Sequence, residues 1–462
     1  MNIEQILAIL IFVVMFVTIV SGKVHRFIPA LVGAAFTCVL VLFLVQSGTE
    51  KLWHILRPYD FVHASWWYGT HEAVQGLSAG SGIEIGGVNW QTIVFIAGMM
   101  TLVEGLAAVG FFRWLCLVVA KVVNYRIVPL LVTFTLLSGF LAMFIDSITV
   151  LLFLAAVTIE LARLLKFDPV PAIIAEIFAA NVGGSATMSG DPPNIVIGTS
   201  LGLTFMDFLT NTGPIAWVGM LVTLGLFYLI FRKVFSRPTW GDPASSGDRY
   251  PEPNEAITNR SLFKINSAIF ILVVVLLLTH AETGLSVALI GVIAASLTLL
   301  ASRKRMYHIM KGVDWRTLLF FLGLFITVGG LEATGVLAKL AQYIGEASRG
   351  STFIVISFIL WISAFSSAIV DNIPFAATMV PVIRNLAATS GFNLHTMAWT
   401  LALGTDIGGN ATPIGASANV VGTAIAEEEG YRVSWGRYCK YAIPATLLVL
   451  GLCYLYLVLR YG

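Results

Sequence analysis

The sequence predicts an all-α polytopic membrane protein: an inverted repeat with two re-entrant helical hairpins and two broken transmembrane helices. Three observations predict it. Of 462 residues, 58% are hydrophobic and only 11% are charged, against about 25% charged in an ordinary soluble domain. Apolar runs long enough to cross a bilayer lie near residues 4–22, 27–46, 89–110, 214–232, 263–280, 285–301, 314–335 and 442–459. A polar stretch broken by glycine and proline occurs twice, at a fixed spacing of 225 positions.

Taken in order, the first repeat covers residues 1–236. Met1-Asn-Ile-Glu-Gln5 lacks a basic region, so the first apolar run is expected to span and not to be a cleaved signal. The loop 47–88 carries Trp53, Trp66 and Trp67, which points to an interfacial segment. Two blocks too long for single spans follow. The block 127–165 has a polar break at Asp146-Ser147 and reads as a hairpin that enters and leaves by one side. The block 171–203 is interrupted by Asn181-Val-Gly-Gly-Ser-Ala-Thr-Met-Ser-Gly-Asp-Pro-Pro-Asn194 and reads as a helix broken at mid-membrane. A Pro- and Ser-rich stretch, 237–262, is the expected cytoplasmic linker. The second repeat, 263–462, brings a hairpin at 352–388 with Asp371-Asn372 at its tip. Its broken helix, 396–425, contains Asp406-Ile-Gly-Gly-Asn-Ala-Thr-Pro-Ile-Gly-Ala-Ser-Ala-Asn419. Between Ser138–Thr199 and Ser363–Ala424, 15 of 62 aligned positions are identical without a gap.

The repeat extends upstream, where Gly87-Val-Asn-Trp90 is answered by Gly312-Val-Asp-Trp315. Five crossings separate Asn89 from Asp314, an odd number, so the halves should face opposite ways. With the N-terminus outside, Lys51, Arg57, Lys339, Arg349, Arg384 and Arg460 fall outside, and the other 27 − 6 = 21 basic residues fall inside.

Paired broken segments in corresponding places of two halves are the sequence pointer to a transporter's binding site. Irregular backbone at membrane depth is tolerated only where it is buried in protein or lines a cavity. Asp146 and Asp371 are the first candidates for a cation or proton site, because a buried carboxylate costs roughly 2.5 kcal/mol or more and needs a partner. Either aspartate can also cap the second helix of its hairpin. Asn194 and Asn419 oxygens are expected to join them, with backbone carbonyls near Gly183, Gly184, Gly408 and Gly409. Ser147, Thr187, Asp191, Asn372, Thr412 and Ser417 are expected to line the substrate cavity. No Arg or Lys lies within either break, while Asp191 and Asp406 add acid. That balance favours a small cation, a neutral or singly charged oxyacid, or an anion taken up with cations. Glu104 and Glu176 have no acidic repeat partner and read either as structural acids paired to a neighbouring helix or as proton-relay candidates; Glu427-Glu428-Glu429 reads as a solvated helix end.

Other chemistries find no support. Cys38, Cys116, Cys439 and Cys453 have no paired spacing and read as packing residues. Gly76-Leu-Ser-Ala-Gly80 lacks the strand–turn–helix context of a hydrolase elbow. There is no His-Glu-x-x-His, phosphate loop or paired-cysteine metal motif. An enzyme is not expected, nor a nucleic-acid partner, nor any cofactor beyond bound Na+.

The runs Ile145-Asp-Ser-Ile-Thr-Val-Leu-Leu-Phe153, Gly183-Gly-Ser-Ala-Thr-Met-Ser-Gly-Asp-Pro-Pro-Asn194, Asp371-Asn-Ile-Pro-Phe375 and Ile414-Gly-Ala-Ser-Ala-Asn-Val-Val421 resemble a known family. It is the arsenite permease/NhaD antiporter/melanosomal P protein family of the ion transporter superfamily, nearest its P-protein-like branch. The divalent anion/sodium symporters are more distant members of that superfamily. The resemblance covers about residues 85–205 and 310–455. It implies a homodimer in a bacterial or archaeal plasma membrane that works by an elevator mechanism. The expected function is secondary active transport of a small anion or oxyacid, coupled to H+ or Na+. A Na+/H+ antiporter is the alternative, and an uncoupled anion channel a third.

Overall fold

The computed structural model describes residues 1–45, 49–68, 86–235 and 250–462. Gly76–Gly80 and most of the linker, 236–249, lie outside the described residues. The first half holds α1 (Ile3–Val20), α2 (Phe27–Phe36), α3 (Thr49–Leu56), α4 (Ala64–Trp67), α5 (Trp90–Ala108) and α6 (Phe111–Val122). It continues with α7 (Ile127–Ala142), α8 (Ser147–Leu165), α9 (Val170–Gly184), α10 (Pro192–Leu201), α11 (Phe205–Asn211) and α12 (Gly213–Phe235). The second half holds α13 (Arg260–Thr283), α14 (Val287–Ala301), α15 (Met306–Gly312), α16 (Trp315–Ala333), α17 (Val336–Ser348), α18 (Thr352–Ile369) and α19 (Asn372–Ser390). It ends with α20 (Leu394–Gly409), α21 (Ser417–Glu428) and α22 (Trp435–Tyr461). Among the described residues, 8 helices are long and apolar enough to cross a membrane.

Both halves use the same local devices at the same spacing. Helix α5 opens at Asn89, whose Oδ1 accepts the Thr92 amide at 3.0 Å, and α16 opens at Asp314, whose Oδ1 accepts the Thr317 amide at 3.1 Å. Each cap satisfies an orphan donor of the first turn. Glycines at 98 and 323 set the contacts behind these helices. A Cβ on Gly98 would lie 2.2 Å from the Gly291 carbonyl of α14, and one on Gly323 would lie 2.5 Å from the Ala30 carbonyl carbon of α2. Helix α5 therefore packs on α14 of the other half, while α16 packs on α2. Helices α6 and α17 each bury one face, through Phe112, Cys116 and Ala120 in the first and Leu337 and Ala341 in the second.

The four blocks that exceed single spans are helix pairs. The first hairpin is α7 and α8 joined at Asp146, and the second is α18 and α19 joined at Asp371. The first broken helix is α9 and α10, the second α20 and α21. Pro192 and Pro193 occupy the first turn of α10, where a missing N–H loses no helical bond. Trp66 is buried against Phe61 and Trp67, whereas Trp53 is exposed. Tyr250, just after the undescribed stretch, stacks on Tyr125 at 4.2 Å, and the Tyr125 hydroxyl donates to the Pro251 carbonyl at 2.7 Å.

Candidate functional site

The two broken helices cross, and both hairpins press against the crossing. Helix α9 packs on α7, α20 and α21, and α20 packs on α18 and α10. Gly183 and Gly408 make this approach possible. A Cβ on Gly183 would lie 2.1 Å from the Gly139 carbonyl oxygen, and one on Gly408 would lie 2.3 Å from the Ala364 Cα. Both glycines are still helical, as are Gly184 and Gly409. Their role here is close packing; the chain leaves the helix just after them.

Each break is fastened by its own side chains. The Asn194 Nδ2 group donates to the Gly184 and Thr187 carbonyls at 3.1 and 3.2 Å. The Asn419 Nδ2 group donates to the Gly409 and Thr412 carbonyls, each at 2.8 Å. The Thr187 hydroxyl donates to the Met143 carbonyl, and the Thr412 hydroxyl to the Ala368 carbonyl at 2.5 Å. The carbonyls of Gly184 and Gly409 are thus occupied by these amides, and the two threonines tie each break to its own hairpin.

Asp191 joins the two hairpins. It is buried at the end of the first break, where its Oδ1 accepts from the Ser147 hydroxyl at 2.7 Å and its Oδ2 from Asn372 Nδ2 at 3.1 Å. Ser147 and Asn372 are repeat equivalents, so one carboxylate holds corresponding atoms of both hairpin tips. Asp146 caps α8, accepting from the Thr149 amide at 2.9 Å and the Thr149 hydroxyl at 2.7 Å. Asp371 accepts from the Ile373 amide at 3.4 Å and is approached by the Ser417 hydroxyl at 3.3 Å. In the centre, Asn181 Nδ2 donates to Asn410 Oδ1 at 2.8 Å and Asn419 Oδ1 at 2.7 Å.

One residue here gave no signal in the breaks themselves. Arg26, in the turn before α2, is ion-paired with Asp371. Its Nη1 also donates to Ser417 Oγ at 3.0 Å and its Nη2 to Thr317 Oγ1 at 2.9 Å, with the guanidinium 5.0 Å from the Phe320 ring centre. The site therefore does contain a cation, supplied from outside the repeated stretches. Of the four aspartates Asp146, Asp191, Asp371 and Asp406, only Asp371 is ion-paired among the described residues. Among the described residues no three His, Cys, Asp or Glu side chains group as a metal site, so a cation here would draw on amide and backbone oxygens besides at most two carboxylates.

A cavity of about 910 Å3 opens beyond α10, lined by Arg57, Trp66, Asn89, Glu332, Arg384 and His395 among others. Arg384 Nη1 lies 3.9 Å from Glu332 Oε1. At its edge Asn89 Nδ2 donates to Thr199 Oγ1 at 2.8 Å and Ser200 Oγ at 2.9 Å. Two acids stand away from these contacts. Glu176 accepts from the Thr158 hydroxyl at 2.6 Å. Glu429 pairs with Arg163 at the end of α21.

Comparisons with known proteins agree with this architecture. An uncharacterized transporter of Mycobacterium tuberculosis is 33% identical over 460 residues, covering 99% of each chain. The P protein of Mus musculus is 27% identical over 533 aligned residues, covering 97% of this chain and 59% of that one. In structure the chain is similar to MtrF of Neisseria gonorrhoeae, with a TM-score of 0.59 at 12% identity, covering 100% of this chain and 95% of that one. The sequence profile of CitMHS, the citrate transporter family, matches residues 16–404. Spanning helices, paired hairpins and crossed broken helices thus occur in a chain that belongs to the citrate transporter family, a family of membrane transporters.

Proposed function

We propose that this protein is a secondary active transporter that moves a small anion or oxyacid together with H+ or Na+ by alternating access. The observation that carries the reading is Asp191, whose two oxygens hold Ser147 of one hairpin and Asn372 of the other. A substrate bound at that junction touches both hairpins and both broken helices, so its binding is felt by every moving part. Arg26 supplies the positive charge for an anionic group. Its pairing with Asp371 makes anion binding conditional on a cation that neutralises the carboxylate and releases the guanidinium. Ser417, Thr317 and Asn372 offer further polar contacts.

Alternating access draws support from a mismatch between the halves. Helix α5 packs on α10, while α16 packs on α19; the equivalent pairings, α16 on α21 and α5 on α8, are not packed to a like extent. If the repeats are inverted, exchanging these two sets of contacts yields the opposite-facing state with no new interface to build. The hairpins and broken helices would then move as one unit against α2, α5, α14 and α16, in an elevator-like step within a homodimer.

The surplus of acid favours a second reading, a Na+/H+ antiporter in which the aspartates exchange the two cations. Protein in liposomes separates the two. Uptake of labelled citrate or a smaller carboxylate that requires an inward Na+ or H+ gradient supports the first. Na+-driven proton movement without any anion supports the second. Counterflow absent under all gradients would contradict both and leave a channel.

A further inference from the structure

The ion pair between Glu332 and Arg384 is left incomplete on both sides. Arg384 Nη1 stands 3.9 Å from Glu332 Oε1, beyond hydrogen-bond reach. Each partner is held by a different neighbour. The Gly86 amide is hydrogen-bonded to the Glu332 carboxylate, and Gly86 lies so close that a Cβ there would collide with Oε2. Arg384 Nη2 donates to the Ser200 carbonyl at 3.2 Å, in the last turn of α10. Glu332 Oε1 is buried with no hydrogen bond among the described residues. A guanidinium carries five N–H groups, and the one hydrogen bond found for Arg384 among the described residues is that to Ser200.

Both side chains line the cavity of about 910 Å3 beyond α10. Among its described lining residues two arginines stand against two carboxylates, and Arg57 is already ion-paired with Asp60 at 3.2 Å. Arg384 is therefore the guanidinium with donors to offer. Gln91 adds a neutral amide, while Trp66, Val196, Phe325 and Val380 give apolar walls. A cavity of this size and make-up suits a small molecule with a few polar anchors. One available guanidinium between apolar walls suits a single carboxylate on an apolar body. A second or third carboxylate would bring more negative charge towards Asp60 and Glu332, with no further uncommitted arginine to meet it. The pair is also absent from the repeat, since Ile159 and Ala107 occupy the equivalent places 225 positions earlier. It is an addition to one half and not an element of the duplicated machinery.

We propose that Arg384 anchors a second acid-binding site, in which a monocarboxylate with an apolar body takes the guanidinium from Glu332 and fills the cavity beyond α10. A charge-assisted N–H···O bond at full strength then replaces a pairing held at 3.9 Å. Glu332 works against the ligand, because it competes for the same guanidinium and repels the same charge. It thereby sets the affinity. The site is distinct from the hairpin junction, since none of Ser147, Asp191, Asp371 and Asn372 lines the cavity. Arg384 and Ser200 belong to a hairpin and a broken helix, whereas Glu332 belongs to α16. When the hairpins and broken helices move against α16, an acid on Arg384 travels with them and Glu332 stays behind. That use as a loading site rests on the transporter reading; the binding itself does not.

The test is equilibrium binding of labelled benzoate to the purified full chain in detergent, with butyrate, citrate and oleate as competitors. Saturable binding that butyrate displaces better than citrate is the expected result. Arg384→Gln should weaken it about tenfold or more, and Arg384→Lys, which keeps the charge without the fork, should fall between. Glu332→Gln should bind benzoate more tightly than the wild type, a gain that a folding defect does not produce. Arg26→Ala should bind it as the wild type does, because that guanidinium serves the hairpin tip. The proposal is overturned if neither benzoate nor butyrate binds, or if Arg384→Gln binds like the wild type. It is equally overturned if Glu332→Gln loses binding as Arg384→Gln does, or if Arg26→Ala loses it. Displacement by citrate in preference to butyrate, or by oleate alone, would reject the small monoacid in favour of a polyacid or of a lipid reached from the membrane. Flux in liposomes keeps the two readings apart. Benzoate binding lost in Arg384→Gln, from a wild type with no coupled transport, would retain the site and reject the transporter. Coupled transport by a wild type that binds neither benzoate nor butyrate would do the reverse.

Discussion

Arg26 and Asp371 are separated by 345 positions in the chain, and their ion pair ties the turn between α1 and α2 to the tip of the second hairpin. Both side chains are largely shielded, at 19% and 15% exposed. The pair closes over Ser417 and Thr317, so it stands between the second hairpin and the helices it packs against.

Removing the guanidinium should therefore affect transport more than folding. Arg26→Ala leaves Asp371 with the Ser417 hydroxyl and the Ile373 amide, and anion uptake is expected to fall about tenfold or more, equivalent to ~1.4 kcal/mol. Arg26→Lys retains charge but loses the fork that reaches Asp371 and Thr317 together, so intermediate uptake is expected. Equal uptake by both variants and the wild type would remove Arg26 from the site.

Asp191→Ala should remove both hairpin contacts, leaving the Ser147 hydroxyl and the Asn372 amide without the carboxylate that accepts from them. The expected cost is about 1–3 kcal/mol in unfolding free energy. Asn372→Ala removes one of the two donors, and with Asp191→Ala the combined loss should be smaller than the sum of the single losses in a double-mutant cycle. Additive losses would mean that the two residues do not interact.

Close packing at the crossing makes a separate expectation. Gly183→Ala and Gly408→Ala each force a methyl group into backbone of the neighbouring hairpin, and roughly 1–3 kcal/mol of destabilisation is expected from each. Gly225→Ala and Gly451→Ala meet open space and should melt at or slightly above the wild-type temperature.

The mismatch between the halves makes a prediction about motion. The Thr92 and Thr199 hydroxyls are 2.7 Å apart. Their repeat equivalents are Thr317 and Ala424. In a background without the four native cysteines, Thr92→Cys with Thr199→Cys should cross-link in the resting protein and stop transport. Thr317→Cys with Ala424→Cys should cross-link only when the opposite-facing state is populated by substrate and cation. Rapid cross-linking of both pairs in the resting protein would contradict two exclusive states.

Much of this arrangement is written in the sequence because the repeat runs without a gap through both hairpins and both breaks. The pairs α5 and α16, α8 and α19, and α10 and α21 begin 225 positions apart, so each half checks the other. Asp146 and Asp371 could be placed at hairpin tips because a polar break interrupts each apolar block. Arg26 could not be placed: it lies outside the repeated stretches, and its partner is fixed only by α2 packing on α16 of the other half. The contacts of Asn181 with Asn410 and Asn419 were hidden for a related reason. A linear repeat aligns each residue with its counterpart, whereas these bonds run across the crossing to a different position in the opposite half. The roles of Gly183 and Gly408 also needed three dimensions, since composition alone does not separate a glycine that frees the backbone from one that admits a neighbour.

The most direct test of cation-coupled transport is flux in sealed liposomes with the membrane potential clamped. An internal pH-sensitive dye and labelled citrate would be followed together after an external Na+ jump or a pH jump. Anion uptake that starts only with the cation gradient, and falls about tenfold or more in Arg26→Ala, is the expected result. Anion flux that ignores both gradients and shows no counterflow would contradict the account and make the protein a channel.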